Sequence, residues 1–244
     1  MDLKSGNPAL SGKTFEGLAA SDNPMTLPGT VNKTAMLLAL VLAGAGWVWS
    51  VYFASQSFDA ISPYLWTGAI GGFVLALVTI FKKEVSPYTA PAYAVLEGFA
   101  IGAISAIYEA KRPGIALQAA GLTFAILGCM LAAYRLRIIQ VTEHFRMGLF
   151  AATGGIAILY MVDMVLMYFG HPVSMIHEGG FAGIAFSLFV VVIAALNLIM
   201  DFDFIAQGVA KRSPKFMEWY SAFALVVTLV WLYLELIRLL GKRR

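Results

Sequence analysis

The strongest constraint on this chain is a repeated block of about 20 apolar residues, the length at which a helix rising 1.5 Å per residue crosses the hydrocarbon core of a bilayer. Such blocks fall at about Thr34 to Phe53, Tyr64 to Phe81, Pro91 to Tyr108, Ile115 to Tyr134, Phe145 to Phe169, Phe181 to Met200 and Phe223 to Leu240. Inside lipid every backbone N–H and C=O needs an internal partner, so a spanning segment is a helix or part of a closed barrel. A barrel would show shorter segments alternating apolar and polar residues, and these blocks do not alternate. The expected fold is an all-α integral membrane protein, with about seven transmembrane helices in one bundle over residues 34–244 and a polar N-terminal tail over 1–33.

Composition agrees. Of 244 residues 60% are hydrophobic and 13% charged, against about 25% charged in a soluble domain. The net charge of +3 comes mainly from Lys and Arg between the blocks, where they act as topology signals and touch anionic headgroups. The partner this implies is the lipid bilayer, not nucleic acid. The single cysteine, Cys129, lies within a block, so it forms no intrachain disulfide and no cysteine metal site. The tail carries Asp2, Glu16 and Asp22 and does not read as a signal peptide. Ser, Gly, Asn, Pro and Thr dominate from Ser21 to Thr34, which predicts a mobile, solvated arm.

With the tail in the cytoplasm, Lys33, Lys82, Lys83, Arg135, Arg137, Arg146, Lys211, Arg212 and Lys215 all fall inside, as the positive-inside rule prefers. Lys111 and Arg112 fall outside, as does the cluster Lys242, Arg243 and Arg244 if there are seven full crossings. Glycines at helix-packing spacing, including Gly68, Gly71, Gly72, Gly98 and Gly102, predict close helix contacts and no chemistry.

An ionisable group at a span centre costs roughly 2.5 to 3.5 kcal/mol, so each requires a partner, water or a role. The candidates are Glu97, Asp163, Asp201, Asp203, Glu218 and Glu235. Glu97, Asp201, Asp203 and Glu218 are expected near one membrane face, with no Lys or Arg inside a span to neutralise them. Hard oxygen ligands suit Ca²⁺ or protons, and clustered carboxylates make ion passage sensitive to pH. Residues two apart on a helix point about 200° from one another, so Asp201 and Asp203 face different ways. Asp201 shares a face with Asn197, and Asp203 shares one with Gln207. Glu235 precedes Arg238 by three residues and can form an intrahelical ion pair. His171 and His177 lie in a connection without a ligand pattern. No HExxH helix, GxSxG elbow or Walker loop is present, so the chain is not expected to be an enzyme.

The segments MTLPGTVNKT at Met25 to Thr34, YAVLEGFAIGAI at Tyr93 to Ile104, LNLIMDFDFIAQG at Leu196 to Gly208 and the closing TLVWLYLELIRLL give the chain a resemblance to the Bax inhibitor-1 family, in particular its bacterial branch related to the YccA proteins. The resemblance implies a seven-helix bundle with its last helix central, in a bacterial inner (plasma) membrane with the N-terminus cytoplasmic. It further implies a pH-sensitive Ca²⁺ leak or cation pathway gated by buried carboxylates. In that family an Asp near the end of the sixth helix pairs with an Asp on the seventh. Asp201 matches the first, and Glu235 or Thr228 stands at the second, depending on register. Asp201 and Glu235 are thus the candidate Ca²⁺ ligands, with Asp203 and Glu97 as further contributors to an ion pathway or pH sensor; no resident cofactor is expected. The family's gating Arg on the second helix has no counterpart within Tyr64 to Phe81. Family members also act as regulators of other membrane proteins such as proteases, and a cation/proton exchanger is a third activity the residues allow.

Overall fold

Local capping chemistry starts the helices earlier than hydropathy does. The computed structural model describes residues 21–171 and 173–242. Its first helix, α1 (Leu27–Ser55), begins seven residues before the predicted span, because the Thr26 hydroxyl accepts from the Gly29 N–H at 3.1 Å and Pro28 occupies the first turn. The stretch read as a mobile arm is docked over its described part: the Met25 N–H donates to the Ser213 carbonyl at 2.7 Å and the Met25 side chain is 1% exposed. The remainder of the predicted tail, 1–20, lies outside the described residues.

Helix α2 (Phe58–Phe81) starts at the Ser57 cap and carries Pro63 in its second turn, where hydropathy alone places the boundary. A short 3₁₀ turn over Lys83–Val85 leads into α3 (Ser86–Lys111), which likewise tolerates Pro87 in its first turn and Pro91 further in. Then come α4 (Ile115–Arg135), α5 (Glu143–Tyr168), the one-turn α6 (Ser174–His177), α7 (Phe181–Ala210) and α8 (Met217–Lys242). All but α6 are long and apolar enough to cross a membrane, which makes seven spans. The protein is an all-α integral membrane bundle, as the apolar blocks predict.

Three helices form the interior. The most apolar windows of α7 and α8 are each 61% buried and that of α3 is 56%, against 17% for α2, α4 and α5. Helix α8 is central: it packs on α1, α3, α4 and α7, and its Phe223 ring meets Tyr93 of α3 edge-on at 4.9 Å. Helix α5 stands at the edge and packs mainly on α7.

The glycine spacing predicted close contact, and α1 and α3 deliver it. A Cβ added at Gly98 would lie 2.5 Å from the Val41 carbonyl oxygen, and one at Gly102 would lie 2.6 Å from that of Ala45. Backbone rather than a flexible side chain is in the way. Gly98→Ala is therefore expected to cost about 2 kcal/mol of stability, read as an earlier unfolding midpoint in an SDS titration of detergent-solubilised protein.

Both ends of the α7/α8 pair are pinned, which establishes a full last crossing. At one end the six-residue connection 211–216 joins them, and Ser21 and Met25 bond to its Arg212 and Ser213. At the other end Lys242 Nζ donates to the Gly183 carbonyl at 3.1 Å and to Ser187 Oγ at 2.9 Å. The N-terminal lead-in and the end of α8 thus lie at opposite ends of the bundle. Of the basic residues that offend the positive-inside rule, Lys111, Arg112 and Lys242 lie at the second end, and two of them have structural work there. Arg112 Nη1 donates to the Leu240 carbonyl at 2.9 Å, and Lys242, 8% exposed, holds carbonyls at the start of α7. Arg112 thereby satisfies a carbonyl in the last turn of α8, which the helix itself leaves without a partner.

Candidate functional site

The α7/α8 seam decides which residue stands level with Asp201. With 210 opposite 217 at one end, and 183 to 187 opposite 242 at the other, the two antiparallel helices keep one register throughout. Counting the helix rise from the connection puts Asp201 about 14 Å along α7, Thr228 about 16 Å along α8 and Glu235 about 27 Å along it. Thr228, not Glu235, is level with Asp201. Both Asp201 and Thr228 are buried, at 1% and 3% exposure.

Asp201 and Asn197 share the inward face, as the spacing predicts. Asn197 is 1% exposed, and its Nδ2 donates to Thr153 Oγ1 and to the Ile193 carbonyl, both at 2.9 Å. The carbonyl can only accept, which fixes the amide orientation. Asn197 Oδ1 is then buried without a hydrogen-bond partner among the described residues. An acceptor oxygen one turn from a buried carboxylate, deep in the most buried pair of helices, is a place where an incoming proton donor or cation would be met.

The remaining span carboxylates do not join Asp201 in one site. Asp203 turns to α5, where Arg146 Nη2 donates to it at 2.8 Å, and it accepts from Gln207 Nε2 at 2.6 Å along its own helix. Glu97 lies on α3 against Gly72 of α2 and shares a hydrogen bond with Tyr93 one turn back. Glu218, fully buried, accepts from the Thr26 N–H and hydroxyl, both at 2.8 Å, from Lys215 at 2.8 Å and from Lys33. Among the described residues no group of three or more His, Cys, Asp and Glu side chains could hold a metal ion. The four acids expected near one membrane face do not share one site, because Asp203, Glu97 and Glu218 each turn toward a different neighbour.

Glu235 forms the predicted ion pair with Arg238 at 3.0 Å, and Tyr160 of α5 completes it. The Tyr160 hydroxyl donates to Glu235 at 2.9 Å and accepts from Arg238 at 2.8 Å, with the guanidinium 5.1 Å from the Tyr160 ring centre. This triad, with Glu235 buried and Tyr160 and Arg238 half-buried, joins α5 to α8. Asp163 is equally structural: it accepts from the Val173 N–H at 2.9 Å and meets His177 Nε2 at 2.8 Å, so His177 anchors the α5–α7 connection.

The expectation that no Lys or Arg inside a span neutralises Glu97, Asp201, Asp203 and Glu218 fails for two of them: Arg146 of α5 pairs with Asp203 and Lys33 of α1 with Glu218. Lys33, Arg146 and Arg238 all come from span ends, and their long side chains reach inward to the carboxylates. Residue pairing across helices is invisible to a scan of span interiors. Glu235 with Arg238, and Glu218 with Lys215, carried a local signal, the i, i+3 spacing.

A family model described as Bax inhibitor 1 like matches residues 7–244. The chain belongs to this family. Comparison with curated proteins and with solved structures gave no match. As a Bax inhibitor-1-like protein it has the central last helix that the resemblance implied. At the level of Asp201 its last helix carries Thr228, where the resemblance implied an Asp.

Proposed function

We propose that this protein is a pH-sensitive Ca²⁺ leak or cation pathway in which Asp201 is the main titrating ligand. The observation that carries the reading is the buried Asn197 Oδ1 without a hydrogen-bond partner, one turn from the buried Asp201 on the α7 face. Hard oxygens of this kind suit Ca²⁺ as a passing ion better than a soft metal. One carboxylate and one amide oxygen fall well short of the six to eight oxygens of a resident Ca²⁺ site. A sparse site of this type lets an ion leave as well as arrive, as conduction requires.

Asp203, Glu235 and Glu97 take lesser parts in this reading. Asp203 and Glu235 are held by Arg146 and Arg238, so they set the field around the path and do not ligate the ion. The family membership and the resemblance to its YccA-like branch support a bacterial inner membrane, with the N-terminal end of the bundle cytoplasmic because the lysines and arginines crowd there.

The test is Ca²⁺ flux into dye-loaded proteoliposomes containing the folded wild-type protein, between about pH 6 and 8. Flux is expected to fall as the pH falls, because a protonated acid offers the cation no charge. No flux above empty liposomes at any pH would overturn the reading in favour of a non-conducting regulator of other membrane proteins.

A further inference from the structure

A crevice of about 290 Å³ opens between α1 and α4, floored by α3 and α8. It is a slot that runs with the helices: its wall follows one face of α1 from Leu38 to Trp49, about 16 Å of helix, and one face of α4 from Ala116 to Phe124, about 12 Å. Spread over the longer wall, the volume leaves a cross-section of about 18 Å², the girth of one extended hydrocarbon chain. The polar side chains in the lining are turned onto protein partners: Ser105 Oγ and the Tyr233 hydroxyl bond to each other at 2.6 Å, and the Thr123 hydroxyl donates to the Ala119 carbonyl at 2.8 Å. A water inside would lack the roughly two to four polar partners it needs. The slot lies within membrane-spanning helices, so the medium at its mouth is lipid.

A carboxylate stands at the end of the slot toward the α3–α4 turn. On α3 the lining residues Ile101 and Ser105 share a face that continues one turn further to Glu109, in the last turn of the helix. Glu109 Oε1 accepts from the Gly114 N–H at 2.5 Å and its Oε2 from the Ala116 N–H at 3.1 Å, which fixes the carboxylate against the wall residue Ala116, and its charge acts on Tyr233 in the floor. Those two bonds use about half of a carboxylate's acceptor sites. Glu109 is half-buried and forms no ion pair among the described residues. Lys111, two residues on, points about 200° away from it around α3, and Arg112 is turned to the Leu240 carbonyl. Spare acceptor charge at headgroup depth, beside a slot one chain wide, fits a headgroup cation that carries N–H donors, and a primary ammonium is such a group. We infer that the α1/α4 slot binds one aminophospholipid, with an acyl chain between α1 and α4 and the ammonium on Glu109.

Native mass spectrometry of the full chain in detergent tests this, with phosphatidylethanolamine, phosphatidylcholine and phosphatidylglycerol of identical acyl chains in competition. One phosphatidylethanolamine is expected to be retained about tenfold more strongly than either of the others, because choline has no N–H to donate and glycerol brings no cation. Glu109→Gln keeps an acceptor for the start of α4 and removes the charge. It is expected to bring the preference for phosphatidylethanolamine over phosphatidylcholine down to within about twofold while a lipid is still retained. A Cβ at Gly46 in the slot wall meets nothing within 4 Å, so Gly46→Phe fills the space without a backbone clash. That variant is expected to weaken retention of all three lipids about tenfold, the ratio for losing the packing of a few methylenes. Gly148→Phe, equally open but on α5 away from the slot, is expected to retain lipid as the wild type does. Should Gly46→Phe fail to fold, Ala120→Phe blocks the same space from α4. Equal retention of the three lipids by the wild type, an unchanged headgroup preference in Glu109→Gln, or a folded blocking variant that retains phosphatidylethanolamine unchanged would each overturn the assignment.

Discussion

Replacing Asp201 with Asn is expected to lower Ca²⁺ flux in proteoliposomes at neutral pH by about tenfold or more and to flatten its pH dependence. The two side chains have the same shape, so packing on the α7/α8 seam is kept and the change is one of charge. A unit charge about 4 Å from a carboxylate is attracted by roughly 2 kcal/mol per unit of ion charge even if the effective dielectric constant is doubled from about 20 to 40. Losing even about 1.4 kcal/mol of that attraction at the narrowest point of the path is a tenfold change in rate. Unchanged flux in a folded Asp201→Asn protein would remove Asp201 from the pathway. Thr228→Asp is the complementary change. It places a second acid level with Asp201, and two neighbouring acids resist simultaneous ionisation. The flux curve is expected to move to higher pH. A curve that does not move would show that position 228 is not coupled to Asp201, and that the register argument does not extend to function.

The second large effect is on stability. Glu218 accepts from two backbone or side-chain groups of Thr26 and from two lysines, and it joins the lead-in to α1 with the start of α8. Glu218→Ala leaves the partly buried Lys33 without its counter-charge and the Thr26 N–H without an acceptor. The expected cost is about 3 to 5 kcal/mol, the range for breaking one side of a buried ion pair. It should appear as an earlier SDS unfolding midpoint and as protease cleavage near Met25 in the detergent-solubilised protein. Lys33→Ala in the same background should cost less than the sum of the two single changes, because the partners share one interaction. Full additivity would mean that the ion pair contributes nothing.

Both predictions rest on pairings that a linear reading could only partly anticipate. The opposite orientation of Asp201 and Asp203 followed from helical geometry, and the structure has Asp203 on Arg146 while Asp201 and Asn197 lie buried together. The i, i+3 spacing disclosed Glu235 with Arg238, but not Tyr160, which approaches from a helix 75 residues away in sequence. The sequence places Glu97 near the same membrane face as other acids, and only the α2/α3 contact shows it lying against Gly72. The docked lead-in was missed for the opposite reason. Pro, Gly, Ser and Asn from Ser21 onward have the composition of a solvated arm, while the interaction that holds it comes from Glu218, almost the whole chain away.

By itself the sequence determined the class of the protein, the number of crossings and the faces of α7, since all three follow from local periodicity: bilayer thickness sets block length, and the turn of a helix sets which residues share a side. Tertiary structure alone decided which helix lies opposite which, and with it that Thr228 rather than Glu235 stands level with Asp201. Lipid is as apolar as the helices it surrounds, so hydropathy says that a segment spans but not what it packs against. Close fit between small residues and the satisfaction of buried polar groups make that choice, and both are properties of pairs of surfaces rather than of any one stretch of chain.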